Sequence, residues 1–239
     1  MKLLFFALLT GVGLCSCFYK SDPMMLAPSS SLDEMLSKYV DTKGNVNYKA
    51  WKNDQNQLRM LIDEMGRQVP EAGMDKREEM AYWINLYNAS TVLLILENYP
   101  LKSIMTLDGG KVWDRKWIEV DGKKLSLNNI ENDILRPKFG DARIHFAVNC
   151  AARSCPPLLN RAWKGFNLES TLEERTRAFI NNSSYNTLTP NKVKISKIFD
   201  WYKSDFGNIV EFLNKYSSED INKGAKVTFY DYDWNLNGR

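Results

Sequence analysis

Between positions 80 and 96 the chain reads Met80-Ala-Tyr-Trp-Ile-Asn-Leu-Tyr-Asn-Ala-Ser-Thr-Val-Leu-Leu-Ile-Leu96. The apolar residues recur at helical spacing and leave almost no polar face, which predicts one helix from about Lys76 to Asn98. A helix of this composition has to be covered on most of its sides, so we expect the rest of the chain to pack around it. Asn85, Asn88 and their polar neighbours interrupt the apolar run, which makes a membrane-spanning helix the less favoured alternative.

The segments on either side of this helix predict a mixed order of helices and strands. Asp121-Gly122 is a hairpin signal between two short strands, and Ser31 with Glu34 forms a capping-box pattern. Further helices are predicted over about 31–40, 51–65, 127–135, 166–181 and 208–216, and strands over about 111–120, 123–125, 143–149, 185–188, 193–195 and 226–231. Because the order lacks regular βαβ alternation, it indicates an α+β single domain, with the buried central helix packed on a small mixed or antiparallel sheet.

The first thirty residues have the pattern of an export signal followed by a tether. Residues 1–16 carry one lysine and an apolar run that is short for a membrane span, which predicts a signal peptide. The sequence Leu14-Cys-Ser-Cys17 resembles a bacterial lipobox, so Cys17 is the predicted lipidated N-terminus. Residues 17–30 then form a flexible tether and 31–239 one globular domain. We expect a lipid-anchored protein of the bacterial cell envelope, at the outer membrane or facing the periplasm; a plain secreted protein is the alternative.

Composition and net charge limit the kinds of molecule that we expect this protein to bind. The 239 residues are 44% hydrophobic and 26% charged, with a formal net charge of +3. These values are ordinary for a soluble globular domain, and the predicted domain is long enough to bury one core without disulfides. The near-neutral balance and the lack of a basic stripe interleaved with aromatic residues argue against nucleic acid as a partner. No cofactor is predicted, and the expected ligand is an unidentified small molecule, peptide or polymer.

The chemistry-bearing block reads Arg143-Ile-His-Phe-Ala-Val-Asn-Cys-Ala-Ala-Arg-Ser-Cys-Pro-Pro-Leu158 and contains the chain's only histidine. If residues 143–149 form a strand, His145 and Asn149 share one of its faces. The two prolines after Cys155 favour a helix start. A thiol near a helix N-terminus and beside Arg153 has its thiolate stabilised, which is how a cysteine nucleophile is prepared.

These residues predict a cysteine-dependent hydrolase or acyl transferase. Cys155 attacks an amide or ester carbonyl, His145 accepts the proton, and a third side chain orients the imidazole ring. The candidates for this third position are Glu131, Asn149 and Asn88. Backbone N–H groups of residues 151–154 are expected to stabilise the oxyanion. The candidate substrate-binding residues are Asn88, Arg153 and Ser154.

Several alternatives to this nucleophile remain open. Cys150 and Cys155 can form a disulfide in an exported protein, or both can be buried thiols without chemistry. A metal site made of His145, the two cysteines and a carboxylate is disfavoured because the spacing is not a familiar zinc pattern, so no metal is predicted. If the block is structural, the protein is a non-catalytic lipoprotein that binds a protein or polymer. The aromatic runs at 199–206 and 230–234 are predicted to be packing, with a sugar-stacking platform as the alternative.

Three ordered blocks of the sequence carry a family resemblance. They are Ala81-Tyr-Trp-Ile-Asn-Leu-Tyr-Asn-Ala89, Leu127-Asn-Asn-Ile-Glu-Asn-Asp-Ile-Leu-Arg136 and the block at 143–158. With these blocks the chain resembles the domain of unknown function 547 family, and the similarity extends to Val46-Asn-Tyr48 and to Tyr232-Asp-Trp-Asn-Leu-Asn237. The resemblance implies no settled biochemical activity. It includes Glu131, which favours a role for this carboxylate as a partner of His145 or Arg143.

Overall fold

The computed structural model describes residues 28–238. The predicted signal peptide, the predicted lipidation residue Cys17 and nearly all of the predicted tether lie outside the described residues. Within 28–238, no helix is both long enough and apolar enough to cross a membrane.

The described chain is a mixture of helices and short strands, which confirms the α+β fold class. The helices are α1 (Pro28–Tyr39), α2 (Tyr48–Trp51), α3 (Gln55–Arg67), α4 (Lys76–Asn98), α5 (Arg136–Phe139), α6 (Leu168–Ile180), α7 (Ile198–Trp201), α8 (Lys203–Phe206) and α9 (Ile209–Tyr216). The strands are β1 (Ile118–Val120), β2 (Lys123–Leu125), β3 (Thr187–Leu188), β4 (Lys192–Ile195) and β5 (Lys226–Phe229). Short 3₁₀ turns link several of these elements, and a π-helical segment, Asn129–Leu135, runs directly into α5.

Helix α4 is the centre of the larger of two hydrophobic clusters. It begins and ends where the sequence pattern predicts, at Lys76 and Asn98, and the Asp75 side chain caps it by accepting a hydrogen bond from the Arg77 amide at 2.8 Å. Every side chain from Ile84 to Leu96 is buried. Its main neighbours are α3, the 3₁₀ turn Gly165–Asn167, the π-helical segment and α6. The buried central helix is therefore confirmed, and other helices supply much of its cover.

The strands form two small sheets. β1 and β2 pair antiparallel, and both residues of the Asp121-Gly122 turn have positive φ, as this type of two-residue hairpin requires. The predicted hairpin is confirmed, although β1 begins at Ile118 because the residues before it form 3₁₀ turns. The other sheet has the order β3-β4-β5, with β3 and β4 antiparallel and β4 and β5 parallel. Val193 and Ile195 of β4 belong to the second hydrophobic cluster, which also contains Phe146, Phe179, Phe199, Phe206 and Phe212.

Two predicted helix starts are wrong. Helix α1 begins at Pro28, so Ser31 lies inside the helix instead of capping it, and proline is well suited to a first helical position. No helix follows Pro156-Pro157, and the next helical turn begins only at Gly165. A proline disfavours the helical conformation of the residue before it, so two prolines in a row oppose a helix start here. The residues after Cys155 therefore supply no helix N-terminus that would stabilise its thiolate.

The strand predicted over 143–149 is also wrong. Ala142–Phe146 is a 3₁₀ turn, and the Asp141 carboxylate caps it by accepting a hydrogen bond from the Arg143 amide at 2.9 Å. Every residue from 144 to 149 is buried. A short apolar run that is buried on all sides has no strand-specific periodicity, which is why the sequence pattern misleads here. His145 and Asn149 consequently do not share the face of a strand.

Candidate functional site: an aromatic cleft

A cleft of about 210 Å³ lies where the two hydrophobic clusters meet. Its polar lining residues include Glu131 and His145, and the Cys150–Cys155 pair forms part of its wall. Six aromatic side chains supply most of the remaining wall: Tyr87, Trp113, Trp201, Tyr202, Tyr232 and Trp234. Lysine and arginine are absent from the described lining. Aromatic walls with a few convergent polar groups are typical of small-molecule sites.

The tryptophans and tyrosines of the wall contact one another. Trp201 and Trp234 stack with ring centroids 5.7 Å apart, and Tyr232 lies 4.6 Å from Trp234. Trp113 meets Trp234 edge-on at 5.7 Å. Such contacts hold the rings in place relative to one another. Trp201 remains 46% exposed, so part of this wall is open to solvent.

Glu131 is placed in the cleft by the π-helical segment Asn129–Leu135. Single π-helical turns are rare, and they occur frequently at functional sites. The helix predicted over about 127–135 is present in this form and continues into α5, where Pro137 lies in the first turn and needs no amide hydrogen. The Glu131 side chain is buried, with 5% of the residue exposed; burial, and after it the nearby Glu131 carboxylate, raises the pKa of Tyr87 and of Tyr202.

His145 is oriented by Asp205, which lies 60 residues further along the chain. Nε2 of His145 is 2.8 Å from Oδ2 of Asp205, and Arg136 donates two hydrogen bonds to the same carboxylate at 2.6 and 2.7 Å. The imidazole ring stacks on Tyr202 with centroids 3.8 Å apart. An ionised carboxylate only accepts hydrogen bonds, so Nε2 carries the hydrogen and donates it to Asp205. The contacts therefore select one orientation and one tautomer.

Charge states in the site follow from burial and from Arg136. Burial lowers the pKa of His145 below its usual value, and the hydrogen bond to Asp205 and the charge of Glu131 oppose this shift only in part. The Arg136 guanidinium holds the pKa of the Asp205 carboxyl well below its usual range. His145 is therefore neutral and Asp205 ionised at neutral pH. Burial also raises the pKa of Tyr202, so this phenol keeps its hydrogen.

The second ring nitrogen of His145 has no partner. Nδ1 is buried and forms no hydrogen bond within the described chain. Oε1 of Glu131 is 3.9 Å away, which is too far for a hydrogen bond. In a neutral ring that donates through Nε2, Nδ1 is an acceptor, as is an ionised carboxylate. Two acceptors thus lie near each other without a donor, an arrangement that costs free energy until a ligand, a water or a proton supplies one.

Cys150 and Cys155 form a disulfide in the cleft wall. Of the alternatives for the two thiols, the disulfide is the observed one, and in this state neither sulfur is a free nucleophile or a free metal ligand. Cys155 is 4% exposed. Its Sγ also accepts hydrogen bonds from the Cys150 amide at 2.8 Å and from the Tyr232 hydroxyl at 3.2 Å. Donors to this sulfur are therefore already in place around Cys155.

The turn between the two cysteines is fastened to the C-terminal segment. The amides of Arg153 and Ser154 donate to backbone carbonyls within 233–235, at 2.8 and 3.2 Å, and Oγ of Ser154 accepts a hydrogen bond from the Asp233 amide at 2.8 Å. The Arg153 side chain is exposed and lies 3.9 Å from the Asp233 carboxylate. Neither residue lines the cleft. The predicted use of these two amides for an oxyanion is wrong, because both already have backbone acceptors.

The two asparagines predicted near His145 hold the backbone instead. Nδ2 of Asn88 donates to a backbone carbonyl of the loop at 2.9 Å, and its Oδ1 accepts from the Asn149 amide at 2.8 Å. The Asn149 side chain in turn donates to the Pro156 carbonyl at 2.8 Å and accepts from the Ala151 amide at 2.9 Å. Neither asparagine lines the cleft, and Asp205 takes the orienting position expected of Asn149 or Asn88.

The structure brings some of the predicted site residues together and adds others. Glu131, His145 and Cys155 line one cleft, as the sequence hypothesis required. Asp205 was missed because its partner is remote in sequence. The aromatic wall was missed because the runs at 199–206 and 230–234 were interpreted as packing. That interpretation holds for Phe199 and Phe206, whereas other rings of the same runs line the cleft: Trp201, Tyr202, Tyr232 and Trp234.

One protein-family model matches part of this chain. Residues 72–180 match the family model described as protein of unknown function, DUF547. The DUF547 match contains all three blocks on which the resemblance rests, and it supports that resemblance. The similar segments at 46–48 and 232–237 lie outside the match and remain predictions. No curated protein and no solved structure matches the chain.

The DUF547 match contains only part of the cleft. Glu131, His145 and the disulfide lie within 72–180. Asp205 and the aromatic side chains at 201, 202, 232 and 234 come from the chain that follows. The orienting carboxylate and much of the aromatic wall are therefore features of this chain that the family match does not describe.

Proposed function

We propose that this protein is a lipid-anchored envelope protein that binds a small molecule in the aromatic cleft. The supporting observation is that Glu131 and Nδ1 of His145 are buried acceptors with no donor between them, at the wall of a cleft lined by aromatic rings. Buried polar groups in proteins are nearly always satisfied, and here an outside donor has room to enter. The closed disulfide favours binding over cysteine chemistry in this state.

Export and lipid anchoring are part of the proposal and rest on two features. The apolar run that ends at Cys17 has the composition of a signal peptide with a lipobox. The Cys150–Cys155 disulfide is the kind of bond that persists in oxidising compartments outside the cytosol. Acyl chains on Cys17 anchor the domain at a membrane surface of the cell envelope, with the tether between them.

Ligand binding is tested on the purified protein with a library of cationic, neutral and anionic small molecules. A ligand present at a hundredfold its Kd raises the free energy of unfolding by about 2.7 kcal/mol, which a thermal unfolding scan detects. The fluorescence of the three cleft tryptophans gives a second signal. Trp201→Ala removes an exposed ring of the wall, and Phe166→Ala removes an exposed ring elsewhere as the control. The proposal fails if no compound shifts either signal, or if both variants weaken binding equally.

A second candidate function is a cysteine hydrolase or acyl transferase that acts on amides or esters in the reduced state. The observation that favours it is the pair of hydrogen bonds accepted by Sγ of Cys155, because donors to a sulfur stabilise its thiolate. His145 and Glu131 border the same cleft. The nucleophile exists only after the disulfide has been opened.

The variant Cys150→Ser tests this candidate, because it frees Cys155 without a reductant. We expect the variant to turn over a panel of activated esters and anilides, with loss of turnover on adding His145→Gln. We also expect Cys155 to be alkylated with an apparent pKa below the usual value of about 8.5. A folded Cys150→Ser protein without turnover rules the hydrolase out and leaves ligand binding unaffected.

A further inference from the structure

The charge balance of the cleft indicates which chemical class of ligand it accepts. Glu131 is buried, yet within the described chain no lysine or arginine lies within 4 Å of its carboxylate. Its ion-pair partner by distance is His145, at 3.9 Å and neutral. Arg136 stands behind Tyr202, 5.0 Å from that ring, and donates to Asp205. Buried carboxylates are normally paired with a cation; the Glu131 charge reaches Arg136, but Arg136 is bonded to Asp205, so Glu131 has no direct ion pair with a lysine or arginine of the described chain.

The hydrogen-bonding groups around Glu131 also favour a ligand that is positively charged or donates hydrogen bonds. A carboxylate offers about four lone-pair sites, so Glu131 has acceptor capacity for a ligand, while Tyr87 and Tyr202 lie near enough for its charge to raise their pKa further, after burial. Nδ1 of His145 is a further acceptor. Asn128, which also lines the cleft, donates one of its two side-chain amide hydrogens to Asp114 at 2.6 Å. These acceptors suit a ligand that brings N–H or positively polarised C–H groups, and the Glu131 carboxylate disfavours an anion.

The aromatic walls of the cleft also favour a positively charged ligand, through the rings themselves. Six aromatic side chains line the cleft, and the faces of tryptophan and tyrosine attract cations through the ring quadrupole. Methylated ammonium groups are a chemical class that such aromatic cages bind. The cleft volume of about 210 Å³ is below the roughly 300–1,000 Å³ of pockets for drug-sized ligands. The bound group is therefore small.

From these three observations we propose that the cleft binds a small organic cation. Its ammonium group lies at the Glu131 carboxylate, and its alkyl substituents contact the aromatic wall. The inference rests on the proposed binding function and specifies the ligand of the same site. It excludes carboxylates, phosphates and other anions as ligands of this cleft.

The experiment compares a cation with its neutral isostere. Isothermal titration calorimetry measures the binding of choline, n-butylammonium and tetramethylammonium to the purified full chain, alongside 3,3-dimethylbutan-1-ol, the uncharged isostere of choline. We expect the cation to bind at least about tenfold tighter than the isostere. Glu131→Gln keeps the shape and removes the charge, and should abolish that preference. Glu119→Gln, on the exposed face of β1, is the matched control and should leave it unchanged.

The outcomes separate this inference from the binding function on which it rests. If the alcohol binds as tightly as choline, the cation inference is wrong and the cleft is still a binding site. If no cation binds at millimolar concentration but a neutral or anionic library compound does, the ligand class is wrong and the function stands. If nothing binds at all, both fail. Should Glu131→Gln not fold, Trp201→Ala replaces it, since loss of one aromatic face has to weaken choline more than the alcohol.

Discussion

Asp205→Asn gives a direct test of the charge assignment in the cleft, because His145 is the only histidine of the chain. Oδ2 of Asp205 is 2.8 Å from Nε2 of His145, and the ring is buried, so the carboxylate stabilises the protonated imidazole at close range. Asparagine can still accept the Nε2 hydrogen of the neutral ring. The substitution therefore removes more stabilisation from the protonated form than from the neutral form.

The size of the effect follows from that contact. A hydrogen bond to a charged group contributes about 1.5–3 kcal/mol, and one pH unit corresponds to about 1.4 kcal/mol. Asp205→Asn should thus lower the pKa of His145 by about one to two pH units below its wild-type value, which burial already places below 6.5. Arg136, no longer neutralised by a carboxylate, adds to the decrease.

Nuclear magnetic resonance of the ¹⁵N-labelled imidazole ring measures both the tautomer and the titration of His145. At neutral pH the wild-type spectrum should show a neutral ring with its hydrogen on Nε2. Asp200→Asn is the control, because Asp200 pairs with Lys197 at 2.7 Å on the surface of the neighbouring helix α7 and should leave the titration unchanged. A wild-type pKa at or above 6.5, a hydrogen on Nδ1, or an unchanged pKa in Asp205→Asn refutes the reasoning.

Three further predictions concern stability. Replacing both Cys150 and Cys155 by alanine should cost about 2 kcal/mol in urea unfolding, the chain-entropy value for a five-residue separation, and an unchanged midpoint would contradict the disulfide. Gly44→Ala should destabilise the protein more than Gly73→Ala in the same assay. Both glycines have positive φ, so both substitutions strain the backbone. At Gly44 an added Cβ would also lie 2.8 Å from backbone atoms of Pro157 and Leu158, whereas nothing lies within 4 Å at Gly73. Burial lowers the pKa of His145 in the native state, so below pH 6.5 the unfolded state binds a proton at this residue that the native state does not. The free energy of unfolding should therefore fall as the pH drops from 6.5 towards the folded pKa of His145. His145→Gln should lack that part of the pH dependence.

The secondary-structure elements that the sequence predicts well are those whose formation depends on residues a few positions away in the chain. Helix α4 has its predicted ends because periodic apolar residues and the Asp75 cap act within a few positions. The Asp121-Gly122 turn forms because this pair tolerates the positive φ that a tight hairpin needs. The start of α9 depends on near neighbours in the same way, since the Asn208 side chain accepts hydrogen bonds from the Val210 and Glu211 amides in its first turn.

Prediction was poorer for the segment around His145, because burial there comes from remote parts of the chain. The alternation in 143–149 is compatible with a strand, but the side chains are covered on all sides, and the backbone follows the Asp141 cap into a 3₁₀ turn. The absence of a helix directly after Pro156-Pro157 has a local cause, since the effect of each proline on the preceding residue outweighs the suitability of proline for a helix start.

By itself, the sequence determined the helical core, the hairpin, the fold class and a short set of chemistry-bearing residues that includes Glu131, His145 and Cys155. Only the tertiary structure decided what surrounds them. It joined Cys155 to Cys150, paired His145 with Asp205 across 60 positions, and brought the C-terminal rings onto the cleft wall. Helix and turn propensities act over a few residues, whereas the charge, tautomer and accessibility of a site depend on packing between segments that the chain order keeps far apart.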